Sequence, residues 1–143
     1  MRTVGRFVLA LLAGLVLGSV VNMALVMAGH ALLPLPAGTD PNDLASLAAV
    51  MPTLGPAHFA FPWLAHALGT FAGALVAALT SGPGRTAAAW TVGALFACGG
   101  IAAALMIPAP AWFLAADLLL AYGPMAWLAI RLAGRLRGGA RAA

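Results

Sequence analysis

Residues 7–28 read FVLALLAGLVLGSVVNMALVMA, twenty-two residues without a charge and with only Ser19 and Asn22 as polar side chains. A helix rises about 1.5 Å per residue, and the hydrocarbon core of a bilayer takes about 20 residues of it. In hydrocarbon the backbone must satisfy its own hydrogen bonds, so a run of this length is read as a spanning α-helix. Arg2 and Arg6 precede it, as in a secretory signal. A signal core is about 7–15 residues, however, so this helix is expected to be retained.

The same criterion finds three more spans. They cover about residues 57 or 62 to 79, 87–107 and 112–130. The composition agrees. Of 143 residues, 64% are hydrophobic and 7% charged, and the mean hydropathy is +1.04. A soluble domain carries about 25% charged residues. So few charges cannot cover a globule, which excludes a soluble enzyme, a nucleic-acid-binding domain and a disordered tail. The expected fold is an all-α membrane protein, a single transmembrane domain of four helices in an up-down bundle.

The connections differ in kind. TSGPGRT at 80–86 and PAPA at 108–111 are tight turns, so their flanking helices should be antiparallel neighbours. The first loop is longer and contains TDPNDLASLAAVM at 39–51. Asp40 suits an N-cap, Pro41 the first helical position and Asp43 the positive end of the dipole. Leu44, Leu47, Ala48 and Met51 make one apolar face. A short interfacial helix is expected over about residues 41–51, lying on the membrane or capping the bundle.

All seven basic residues are Arg. Arg2 and Arg6 precede the first span, Arg85 lies between the second and third, and Arg131, Arg135, Arg137 and Arg141 follow the fourth. All fall on one side of a four-span topology, and the positive-inside rule makes that side the cytoplasm. The expected location is the bacterial inner membrane with both termini cytoplasmic. Trp63 and Trp112 then lie near the outer ends and Trp90 and Trp127 near the inner ends, at headgroup level. Arg131, Arg135, Arg137 and Arg141 are expected to meet anionic lipid headgroups. The single cysteine, Cys98, excludes an intrachain disulfide and reads as a small hydrophobe.

Lipid supplies no hydrophobic drive between helices, so small residues must let backbones approach. Ala10, Gly14, Gly18 and Asn22 form a stripe on the first span, and Ala65, Gly69, Gly73 and Ala77 a matching one on the second. The third carries Ala89, Gly93, Ala97, Gly100 and Ala104. These faces serve a compact bundle or a dimer. Pro124 removes the partner of the Leu120 carbonyl and should kink the fourth span, whereas Pro62 either kinks or begins the second.

Polar residues within the spans hint at chemistry. Asn22, His66 and Asp117 come from three helices and, by residue count, fall within about one turn of the same depth. Thr70 lies one turn below His66. A central Asp costs about 2.5–3.5 kcal/mol to insert, so Asp117 should turn from lipid toward a hydrogen-bonding partner such as His66. A cluster of Asn22, His66, Thr70 and Asp117 is expected. Such groups serve as proton relays or substrate sites, or else as interhelical glue. Tyr122, near the middle of the fourth span, should pack with its hydroxyl bonded to a neighbour. His30 and His58 flank the outer surface with Asp40 and Asp43, but without metal-ligand spacing. No metal, cofactor or catalytic residue is expected, and nothing marks Ser19 as a nucleophile.

PAGTDP at 36–41, HALGTFAGALVAA at 66–78, GG at 99–100, PAPAWFLAADL at 108–118 and AYGPMAWL at 121–128 resemble a family of small bacterial four-helix integral membrane proteins. The resemblance implies the fold; with no activity assigned to the family, it implies no catalytic residues. Two functional readings remain. The first, and the leading one, is a non-catalytic accessory or scaffold component with the buried Asn/His/Asp cluster as glue. The second is a small proton- or cation-coupled transporter or channel using His66 and Asp117. An intramembrane enzyme is the least supported. The expected partners are the lipid bilayer and either a second copy or another membrane protein, with no nucleic acid.

Overall fold

The computed structural model describes residues 2–139, and the side chains of residues 3–138. Arg141 lies outside the described residues, as does the side chain of Arg2. The described chain contains helices and no strand. Helix α1 runs Arg2–Leu32, α2 Leu44–Val50, α3 Ala60–Thr80, α4 Arg85–Met106, α5 Ala111–Leu120 and α6 Gly123–Gly139. Four helical stretches, Thr3–Leu32, Pro56–Thr80, Gly82–Met106 and Ala111–Gly138, are long and apolar enough to cross a membrane.

Several boundaries differ from the sequence reading. α1 extends past residues 7–28 at both ends, because nothing there opposes helix until Pro34. The loop helix is shorter than 41–51. Asp43, not Asp40, is its N-cap, and the carboxylate accepts from the Ala45 and Ser46 amides. Asp40 instead shapes the preceding turn, accepting from the Asn42 amide at 2.8 Å. A 3-10 turn at Pro56–Phe59 leads into α3, with Pro62 in its first turn, where the ring opposes no helical hydrogen bond. Pro62 therefore begins the span.

The fourth apolar stretch is two helices. α5 ends at Leu120, the Ala121 amide donates to the Asp117 carbonyl, and α6 starts at Gly123. Gly123 and Pro124 together convert the expected kink into a break.

Small residues build the interior. One buried cluster joins Ala74, Ala77 and Ala78 of α3 to Ala88, Ala89 and Val92 of α4 and Ala126, Ala129 and Ala133 of α6. Many large side chains point outward: Leu105 is 84% and Leu119 71% exposed. A soluble fold inverts this pattern. Here the apolar surface suits a hydrocarbon surrounding, and the small interior residues allow dense backbone packing.

α1 lies along α3, with its stripe meeting the stripe on α3. A Cβ built on Gly14 would lie 2.5 Å from the Gly73 carbonyl oxygen, and one on Gly73 would lie 2.6 Å from that of Gly14. Gly18 and Gly69 face each other in the same way, at 2.7 and 2.9 Å. A Cβ on Gly93 of α4 would lie 2.8 Å from that of Ala126 on α6. The α1 stripe is thus used within the chain. At the other end of α3, two arginines cap its last carbonyls. Arg6 Nε donates to the Thr80 oxygen at 2.7 Å, and Arg137 donates to the Leu79 oxygen. Cations there also complement the helix dipole.

Candidate functional site

Three polar side chains meet where the fourth stretch breaks. α3 contributes His66, α5 contributes Asp117, and the link between α5 and α6 contributes Tyr122. His66 Nδ1 lies 2.9 Å from Asp117 Oδ1 and 3.0 Å from Oδ2. The Tyr122 hydroxyl donates to Oδ2 at 2.9 Å. A carboxylate can only accept, so an ionised Asp117 accepts a hydrogen bond from His66 Nδ1–H, and Nε2 makes no hydrogen bond among the described residues. The imidazole and phenol rings lie 5.9 Å apart at 31°. Asp117 is buried, whereas the His66 side chain keeps 24% of its surface exposed.

The break explains Tyr122. Five residues along an unbroken helix turn a side chain by about 140°, away from residue i. The interruption at 121–122 lets the phenol swing back to the carboxylate. Gly100 on α4 makes room for it, since a Cβ there would overlap the Tyr122 hydroxyl. From the sequence alone, Tyr122 is expected only to bond its hydroxyl to an unspecified neighbour. The signals that point to it are Gly123 and Pro124 beside it and Gly100 across from it.

Asn22 and Thr70 make no hydrogen bond to the pair among the described residues. The Asn22 Cβ packs at Gly69, and the side chain lines a cavity with His66 and Tyr122. Thr70 is fully buried, and its hydroxyl has no partner among the described residues. Trp63 ties α3 to α5 from the loop side, its indole N–H reaching the Ala116 oxygen at 3.4 Å.

His66 sits between two cavities. One, about 250 Å³, lies under the long loop and α2, with His30 and His58 in its wall and His66 and Asp117 deeper in. The other, about 320 Å³, is a cleft between α1 and α4. Ser19, Leu95 and Gly99 line it and are exposed, while His66 and Tyr122 also border it. His66 and Gly100 border both.

The pair therefore borders the loop-side cavity, and His66 also borders the cleft between α1 and α4. Carrying one proton, the His66–Asp117 pair is anionic. With two protons it is neutral, whichever atoms bear them. Among the described residues no cluster of three or more His, Cys, Asp or Glu side chains could hold a metal.

The Arg side chains expected at headgroups divide. Arg137 is half-buried on the Leu79 carbonyl, Arg131 lies 4.8 Å over the Trp127 ring, and Arg135 is exposed. No family model, curated protein or solved structure matches the chain.

Proposed function

We propose that this chain is a multi-pass protein of the bacterial inner membrane, an up-down bundle with both termini cytoplasmic, and that its His66–Asp117 pair is the ion site of a small proton- or cation-coupled transporter or channel. The one-sided arginines support the topology. The resemblance to small bacterial four-helix membrane proteins supports the location. The lipid bilayer is the surrounding partner.

The observation that carries the function is the place of His66, hydrogen-bonded to a buried carboxylate and bordering two cavities. An ionisable pair inside a span marks an ion or substrate path when water or ligand can reach it. A broken helix beside the pair adds backbone groups free of helical partners, a common feature of binding sites at membrane depth.

The competing reading is an accessory or scaffold component, alone or in a homo-oligomer, with the centre as glue. It draws on the enclosure of Asp117. Hydrogen bonds to a charged group contribute about 1.5–3 kcal/mol each, so His66 and Tyr122 offset the insertion cost of one carboxylate without any ligand. Glue of this kind has no use for a cavity on each side.

Proteoliposomes separate the two. Wild type is expected to pass protons or monovalent cations measurably faster than Asp117→Asn. Equal flux, with a lower unfolding temperature for the variant, would establish the structural role instead.

A further inference from the structure

The loop-side cavity has features that single out a class of ligand. Its walls are apolar, including Phe61 and Leu114 below and Leu47 of α2 above. No Arg or Lys lines it among the described residues, and its one carboxylate is Asp117. His58 also lines it, and its Nδ1 is buried without a hydrogen-bond partner among the described residues. At about 250 Å³ it is smaller than a typical drug site. An apolar cavity of about 150 Å³ holds benzene, so this one suits a ligand of about ten non-hydrogen atoms.

We infer that the loop-side cavity binds a small primary amine with an apolar body, its ammonium group on Asp117, in competition with a proton on the His66–Asp117 pair. The inference rests on that pair being a proton-exchanging site. Each carboxylate oxygen has two lone pairs, and the bonds from His66 and Tyr122 leave acceptor capacity on Asp117 for a further donor. An ammonium or a second proton restores neutrality, but both together leave an excess positive charge. Binding an ammonium to the doubly protonated centre therefore releases one proton to solvent, and charge balances. The apolar walls meanwhile take up the body of the amine.

The titratable groups facing His66 are Asp117 from α5 and Tyr122 from the helix break. His30 from α1 and His58 from the turn before α3 line the same cavity, and neither α2 nor α4 contributes a titratable group to it. Cationic His30 or His58 would also repel an ammonium at low pH, so their effect must be separated from that of the centre.

The test is calorimetric titration of the full chain in nanodiscs with 2-phenylethylamine, against empty nanodiscs. The amine is protonated throughout the window from about pH 5.5 to about pH 7.5. Affinity is expected to rise with pH, by up to about tenfold per unit wherever the centre holds its second proton, with one proton released per amine there. 2-Phenylethanol should bind at least about tenfold more weakly, without proton release. Asp117→Asn should abolish amine binding. Ala103→Phe, filling the cavity away from the carboxylate, should do so without altering the unfolding temperature by more than a few degrees. The double variant His30→Gln, His58→Gln should keep the pH dependence.

Equal binding of the alcohol, binding independent of pH, loss of the dependence in the double-His variant, or unchanged affinity in Ala103→Phe would each overturn the inference. An Asp117-dependent ion flux in a protein that ignores the amine would leave the transport reading standing and reject this ligand class. Amine binding with proton release, but no flux, would do the reverse.

Discussion

The contact between α1 and α3 yields a prediction whose sign depends on position. Replacing glycine by alanine in an exposed helix stabilises it by about 0.5–1 kcal/mol, because alanine loses less backbone freedom on folding. At Gly73 the new Cβ would lie 2.6 Å from the Gly14 carbonyl oxygen and 3.2 Å from Val92 Cγ1. Relative to ordinary contact at 3.4 Å, the first approach is too close by about 0.8 Å, and the obstacle is backbone rather than a side chain that can rotate. α1 must move outward, loosening the neighbouring Gly18–Gly69 contact as well. Overpacking of this kind costs about 1–3 kcal/mol, more than the helix propensity returns. Gly73→Ala is therefore expected to destabilise the protein by about 1–2 kcal/mol net. Gly5→Ala and Gly134→Ala, which meet nothing within 4 Å, should be neutral or stabilising. Reversible unfolding in mixed micelles measures all three. Because Gly14 and Gly73 share one contact, Gly14→Ala combined with Gly73→Ala should cost less than the sum of the single changes. Equal stabilities for Gly73→Ala and Gly134→Ala would refute the reasoning, since backbone proximity could not then set the interhelical distance.

Tyr122→Phe removes one hydrogen bond to Asp117 and is expected to cost about 1.5–3 kcal/mol in the same unfolding assay. Gly100→Ala, which displaces the phenol, should cost a comparable amount, and most of that penalty should vanish in the Tyr122→Phe background; additive penalties would contradict the packing described here. Asp43→Ala removes the cap of α2 and should lower local stability by about 0.5–2 kcal/mol, visible as faster amide exchange over Leu44–Val50 with α3 unchanged. For the topology, alkaline phosphatase fused after Ala143 should be inactive in bacterial cells, and an active fusion would place the C-terminus outside.

Some of this molecule can be read from the chain alone because hydrocarbon constrains it so strongly. Charge-free runs of spanning length can be little other than helices, and the arginines confine themselves to the ends and the Gly/Pro turn. Glycines at four-residue spacing mark where backbones can meet. Counting along two spans is enough to place His66 and Asp117 at one depth. That count treats the fourth span as one helix, and an unbroken helix would turn Tyr122 away from Asp117. The role of Tyr122 depends on a break that Gly123 and Pro124 permit but do not require. It also depends on Gly100, twenty-two residues upstream on another helix. Depth likewise groups Asn22 with the pair, but depth carries no information about azimuth, and with α1 packed on Gly69 Asn22 lines the cleft beside His66 without a hydrogen bond to the pair among the described residues. Length and polarity are local properties, so the sequence determined the helices, their apolar surface and the sorting of charge. The direction of each side chain and the space left between helices depend on every contact at once. Only the tertiary structure could decide that one imidazole stands between two cavities, bonded to a carboxylate that a phenol also holds.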